Sequence, residues 1–255
     1  MRRVAIAFIL SALAILTACG SSNNSQSDAA PLSGNWAITL DRHAVTDPQT
    51  FSGFLVQSGN AISGSVILGD GCQGVGPVTG TLDSQKLSMT INEFGQEVSL
   101  VGDVPSGNGF ISGSFSTLPG GCTQFPNTGT WSARLIPPVG GNFHGTLTST
   151  KNGIVNVTGN LGQGPNTGAS NATITGNIVA SAPQQFCAYL TSATISGVIS
   201  GTQATLNLFG PDGVQTTQID GTLTPDSTSL TGPYVFQRIS NSCFGDQGTL
   251  QITFP

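Results

Sequence analysis

The chain has 255 residues, seven of them lysine or arginine and twelve aspartate or glutamate, for a net charge of −5. Charged residues make up 7% of the sequence, against about a quarter in ordinary globular proteins. That acidic, charge-poor balance argues against a nucleic-acid binder, which needs basic groups for phosphates. Two histidines in all, and no Cys-x-x-Cys pair, give no support to a metal site. No cofactor motif is present either.

The chain begins with a basic Met1-Arg2-Arg3, followed by the apolar run VAIAFILSALAIL over residues 4–16. Thirteen residues are too few to span a bilayer comfortably and suit the core of a signal peptide. The run ends in Leu16-Thr17-Ala18-Cys19-Gly20, which resembles the lipobox of bacterial lipoproteins. The resemblance implies cleavage after residue 18 and acylation, palmitate included, of Cys19, so that the protein meets the membrane through an N-terminal lipid. Two or more acyl chains are the condition for stable anchoring. The residue after the cysteine is glycine and not aspartate, which in such lipoproteins favours the outer membrane. Residues 21–31, SSNNSQSDAAP, lack periodicity and apolar side chains and read as a flexible tether over 19–31, about 20 Å long as a coil. Removing Arg2 and Arg3 leaves five basic residues against twelve acidic ones, a net charge of −7.

Beyond the tether the chain keeps writing one phrase: apolar, Ser or Thr, Gly, any residue, apolar. It occurs at Ile62–Val66, Val78–Leu82, Ile111–Phe115, Val157–Leu161, Ile174–Ile178 and Ile195–Ile199, with relatives at Leu32–Trp36 and Phe51–Leu55. Side chains alternate across a strand, so the glycine shares the buried face with the two apolar residues. Glycine weakens a flat strand. It serves where a strand bends around a narrow core, as in small barrels.

Turn signals divide residues 32–137 into eight strands near 34–40, 51–57, 61–68, 75–82, 86–92, 97–104, 109–117 and 129–136. Residues 138–255 give eight more, near 141–149, 154–161, 171–180, 189–200, 203–209, 214–223, 229–239 and 247–254. LSGNWAITL (32–40) matches VGGNFHGTL (139–147), with Trp36 against Phe143. No helical period follows the signal segment. The expectation is an all-β protein of two tandem eight-stranded antiparallel up-and-down barrels, with two β-sandwiches as the alternative. The joint, IPPVGG at 136–141, is short and proline-stiffened and predicts barrels that sit close with little relative freedom.

The cysteines fit this plan. Cys72 and Cys187 follow the third strand of each copy, and Cys122 and Cys243 precede the eighth. In a meander those two loops lie at one end of the barrel. The expected disulfides are Cys72–Cys122 and Cys187–Cys243, partly covering that end, each worth about 4 kcal/mol by chain entropy. The lipobox implies the oxidising compartment they need. With Cys19 lipidated, none of the five is left over.

Gly34-Asn35-Trp36 on the first strand resembles the opening G-x-W of lipocalins and of avidin-like barrels. In lipocalins the tryptophan plugs the closed end, and in both families ligands enter at the other. The second copy departs, with Gly141-Asn142-Phe143. The resemblance concerns architecture, and fold does not imply function.

Catalytic candidates are sparse. His43 stands near Asp41 and Asp47, the beginnings of an acid–base pair, in what reads as a solvated loop. His144 occupies an outward strand position. Asp70 and Asp246, beside cysteines, are read as solvated loop carboxylates rather than cation ligands. Trp36 and Trp131 fall on neighbouring strands and read as core. The first functional expectation is therefore a non-catalytic, lipid-anchored envelope protein: a displayed binding or structural module with a protein or small-molecule partner. The alternatives are a carrier of a small apolar ligand, and a hydrolase using His43.

Overall fold

The structure is a computed structural model and describes residues 31–42, 48–69, 74–105, 107, 109–120, 127–151, 153–181, 192–236 and 245–255. Sixteen strands are present among them. The first eight are β1 (Gly34–Arg42), β2 (Gln49–Ser58), β3 (Ala61–Leu68), β4 (Gly74–Asp83), β5 (Lys86–Glu93), β6 (Gln96–Asp103), β7 (Phe110–Thr117) and β8 (Asn127–Ile136). The second eight are β9 (Gly140–Ser149), β10 (Gly153–Gln163), β11 (Ala172–Ser181), β12 (Ala193–Ser200), β13 (Gln203–Phe209), β14 (Gln215–Leu223), β15 (Ser229–Phe236) and β16 (Gln247–Thr253).

Each set of eight closes on itself. Every strand pairs antiparallel with its sequence neighbours, β8 returns to β1, and β16 returns to β9. Closure puts Trp36 opposite Leu135 and Leu40 opposite Trp131 in the first barrel. In the second it puts Leu250 opposite Leu147. A sandwich would leave edge strands, and β1 and β9 are each bonded on both sides, so the sandwich alternative fails. Closure also removes the free edges that invite aggregation.

The repeated phrase shows its purpose at Gly113. A Cβ there would fall on the Val101 carbonyl oxygen and 2.6 Å from the Gly102 Cα. The strands coil so tightly that the neighbouring backbone fills the space a side chain would need. Inward-facing residues fill each barrel: Trp36, Ile38, Leu40, Leu87, Met89, Leu100 and Trp131 are among those in the first. Trp36 lies at the end where β1 begins and its Nε1 donates to the Leu32 carbonyl at 2.8 Å, closing that end. The Trp131 Nε1 donates to the Val101 carbonyl at 3.0 Å. Both tryptophans are core residues.

The outer walls explain the odd composition. One cross-strand row runs Ser63, Thr79, Thr90, Ser99, Ser116, Thr128 over six strands. Hydroxyl pairs of this kind stabilise a sheet by a few tenths of a kcal/mol each, roughly as opposite charges do. The wall is polar while carrying few charges. Lys86 and Asp103, paired across β5 and β6, form an exposed ion pair of the kind that adds little.

The two barrels are joined by more than the linker. Asn35 points outward from β1 yet is 2% exposed. Its Nδ2 donates to the Gly201 carbonyl at 2.8 Å, and the Gly201 N–H donates to its Oδ1 at 2.6 Å. Beside it, the Ser52 and Ser200 hydroxyls are 2.9 Å apart. Asn166 Nδ2 donates to the Leu55 carbonyl at 2.7 Å. Phe54, outward on β2, belongs to the apolar cluster of the second barrel. Asn166 and Gly201 lie on the β10–β11 and β12–β13 connections, at the end where β9 begins. That closed end therefore stands on the flank of the first barrel, and Phe54 helps to floor it, together with Phe143 and Phe254, whose rings meet edge-to-face at 6.2 Å.

Candidate functional site

The topology sorts the connections into two ends. The β1–β2, β3–β4, β5–β6 and β7–β8 connections form the mouth of the first barrel. Their counterparts after β9, β11, β13 and β15 form the mouth of the second. Cys19, Cys72, Cys122, Cys187 and Cys243 lie outside the described residues, as do His43, Asp47 and Asp70. The strand ends that flank the four cysteines after Cys19 are described. In each barrel they lie at the mouth.

Each mouth buries a carboxylate. In the first barrel Glu93, at the end of β5, is 1% exposed. Gln49 Nε2 donates to its Oε1 at 3.1 Å. Burial pushes the Glu93 carboxyl up, against the downward pull of the Arg42 guanidinium and the Gln49 amide. In the second barrel Asp246 is fully buried. It is not the solvated loop carboxylate that its place beside Cys243 suggests. The Ser149 hydroxyl lies 2.8 Å from both of its oxygens. Tyr234 Oη donates to Oδ2 at 3.2 Å and the Lys151 N–H to Oδ1 at 3.3 Å. Burial and the Asp246 charge push the Tyr234 phenol well above its usual range, which keeps it a proton donor. This network fastens the start of β16 to the β9–β10 turn. Both carboxylate oxygens of Asp246 accept hydrogen bonds within it.

His144 is exposed on β9, opposite Thr158 and Thr253. Asp41 is exposed on β1 and borders an open groove of about 700 Å³ on the first barrel's wall, with Thr39, Thr130, Ser112 and Ser132. Among the described residues, no second titratable group of the sequence reading stands beside either; His43 and Asp47, the partners expected for Asp41, lie outside them.

The mouths differ from the walls in a way the sequence did not reveal. Eleven large apolar side chains are exposed among the described residues, and eight stand at a mouth. Around the first these are Ile67, Val75, Phe94 and Leu118, with Phe94 63% and Leu118 65% exposed. Around the second they are Ile154, Val179, Val214 and Val235. Phe94 is the most constrained of them. It has φ 48 and is followed by Gly95 at φ 90 in a two-residue hairpin turn. A bulky residue in the left-handed region costs about 1–2 kcal/mol, and Asn is the usual occupant of such a site. The Phe94 ring lies across Gly74, where an added Cβ would collide with it. The fold thus spends conformational strain to hold an aromatic ring in solvent. The sequence offered one cue, a Phe in the Glu93-Phe94-Gly95-Gln96 turn, where a polar residue is ordinary.

No family model matches the chain, and no curated protein matches it.

Proposed function

We propose that the protein is a non-catalytic envelope lipoprotein, anchored in the outer membrane through Cys19, that displays the apolar mouths of two fused barrels to a protein partner. The observation that carries this reading is the distribution of apolar surface. Among the described residues the walls carry rows of hydroxyls, apolar side chains pack inside, and exposed apolar groups gather at the mouths. Such clusters on an otherwise polar surface mark interaction sites. The tether reaches the first barrel at Pro31, at the closed end and opposite the first mouth.

Among the described residues the inward positions carry packed apolar side chains, which weighs against the carrier alternative and its hollow calyx. The outer walls are suited to water. A barrel that crosses a membrane carries an apolar band outside, and these carry Ser, Thr and Asn.

Two measurements test the reading. Cys19→Ser should move the protein from the membrane to the soluble fraction and remove the acyl mass from its N-terminus; unchanged membrane fractionation and mass would refute the anchor. Chemical crosslinking in intact cells should give a discrete adduct with the parent chain. Leu118→Asp should abolish that adduct while thermal stability stays within about 0.5 kcal/mol, as for other surface changes. An adduct indifferent to Leu118 would remove the mouth from the proposal.

A further inference from the structure

The closed end of the first barrel breaks the hydroxyl pattern of the wall. There an apolar cleft of about 210 Å³ is lined by Pro31, Leu32, Trp36, Val104, Phe110 and Leu135, with few polar atoms. Phe110 is 41% exposed. Leu135 reaches the cleft because Gly34 stands beside it, where a Cβ would lie 2.5 Å from the Leu135 Cδ1. Arg134, exposed on β8, is the cross-strand partner of Phe110. The strand register therefore puts Arg134 beside Phe110, at the end that holds the apolar cleft.

The Leu32 N–H donates to Gln57 Oε1 at 2.9 Å, and the Gln57 N–H donates to Ser33 Oγ at 2.9 Å. These bonds pin the start of the domain to this end. Eleven residues separate Cys19 from Pro31, a span of about 20 Å as a coil and under about 40 Å when stretched. A lipid held at Cys19 keeps the bilayer surface within that distance of the cleft.

We infer that the closed end of the first barrel seats on the bilayer, with Phe110 and Leu135 at the boundary between headgroups and acyl chains and Arg134 on lipid phosphate. This rests on the Cys19 anchor. The chemistry matches the interface: apolar side chains enter by about 5–10 Å, and a guanidinium pairs well with phosphate. Seating fixes the first mouth on the far side, away from the membrane. Because the second barrel is bonded to the first barrel's flank through Asn35 and Phe54, its orientation is fixed with it.

The test uses the full chain as cells process it, reconstituted into vesicles of phosphatidylethanolamine and phosphatidylglycerol with brominated acyl chains. Phe110→Trp puts a fluorescent reporter at the closed end, and Leu118→Trp puts one at the mouth; the parent protein supplies the background of Trp36 and Trp131. The added fluorescence of Phe110→Trp should be quenched about threefold more than that of Leu118→Trp, as the interfacial depth requires. Equal quenching, or stronger quenching of Leu118→Trp, overturns the inference. Quenching of Phe110→Trp by free brominated fatty acid but not by vesicles also overturns it, since the cleft would then serve a soluble ligand. Protein that washes off the vesicles defeats the anchor reading separately. The same contrast, measured on protein added to preformed vesicles, then decides the seating.

Discussion

Glu93 and Phe94 are adjacent and oppositely placed, one carboxylate buried and one ring exposed. The Glu93 carboxyl titrates above its ordinary value of 4.5 because burial disfavours the charge. Below the unfolded value both states hold the proton and the fold loses nothing. As pH rises through the higher folded value, the native state must ionise a buried group and stability falls. Glu93→Gln should therefore raise the melting temperature at pH 7, with the gain gone by about pH 4. Thermal melts across that range check it; a gain independent of pH would show that Arg42 and Gln49 offset the burial. Phe94→Asn should relieve the left-handed strain and stabilise the protein by about 1 kcal/mol while removing an apolar group from the mouth. Chemical denaturation measures the first effect. A loss of stability instead would mean that the ring's packing on Gly74 is its purpose. Neither residue's role was legible beforehand. A hydrophilic turn carrying Glu and Gln reads as solvated until the barrel closes over it.

At the scale of the strand, the glycine phrase was legible because it repeats in phase with the alternation of side chains. What the phrase could not give is how little room remains. Gly113 is opposed by Gly102 on one side and Trp131 on the other, and the atoms in the way of a Cβ belong to backbone that cannot swing aside. Gly113→Ala should cost more than about 2 kcal/mol, as overpacked core positions do. The outward neighbour Ser114→Ala should stay within about 0.5 kcal/mol. Urea denaturation with unchanged m-values checks the pair. A tolerated Gly113→Ala would show that the barrel wall yields. The hydroxyl rows were present in the composition as an excess of Ser and Thr, but their alignment depends on strand register, which only the paired sheet supplies.

At the scale of the whole molecule, two barrels were readable from the paired Gly-Asn-aromatic openings, and the short linker predicted their closeness. Their fusion was not readable. Phe54 sits in Phe51-Ser52-Gly53-Phe54-Leu55, one more variant of the phrase, at an outward position where an aromatic stands out only once its partner is known. Phe54→Ala should cost about 3–5 kcal/mol if the seat does not collapse. The loss should fall on the second barrel. Hydrogen exchange should speed up in β10 to β13 and stay unchanged in β4 to β7; uniform acceleration would mean that the two barrels unfold as one unit. For the same reason the segments 31–137 and 138–255, which look separable in sequence, are unequal when separated. The first would expose Phe54, and the second would lack part of its floor.

That inequality implies an order of assembly. Every residue of the first barrel's apolar cluster precedes residue 136, so this barrel can close as soon as its eighth strand exists. The second draws Phe54 from a wall that must already be in place. Chains are made from the N-terminus, and domains form as units in that direction. The earlier barrel is thus a finished template, with one aromatic ring standing ready on its side, when the later strands begin to pair. An arrangement with the giver and the receiver exchanged would leave an unfinished floor waiting on residues not yet made. The asymmetry of a single side chain therefore makes two similar halves successive events.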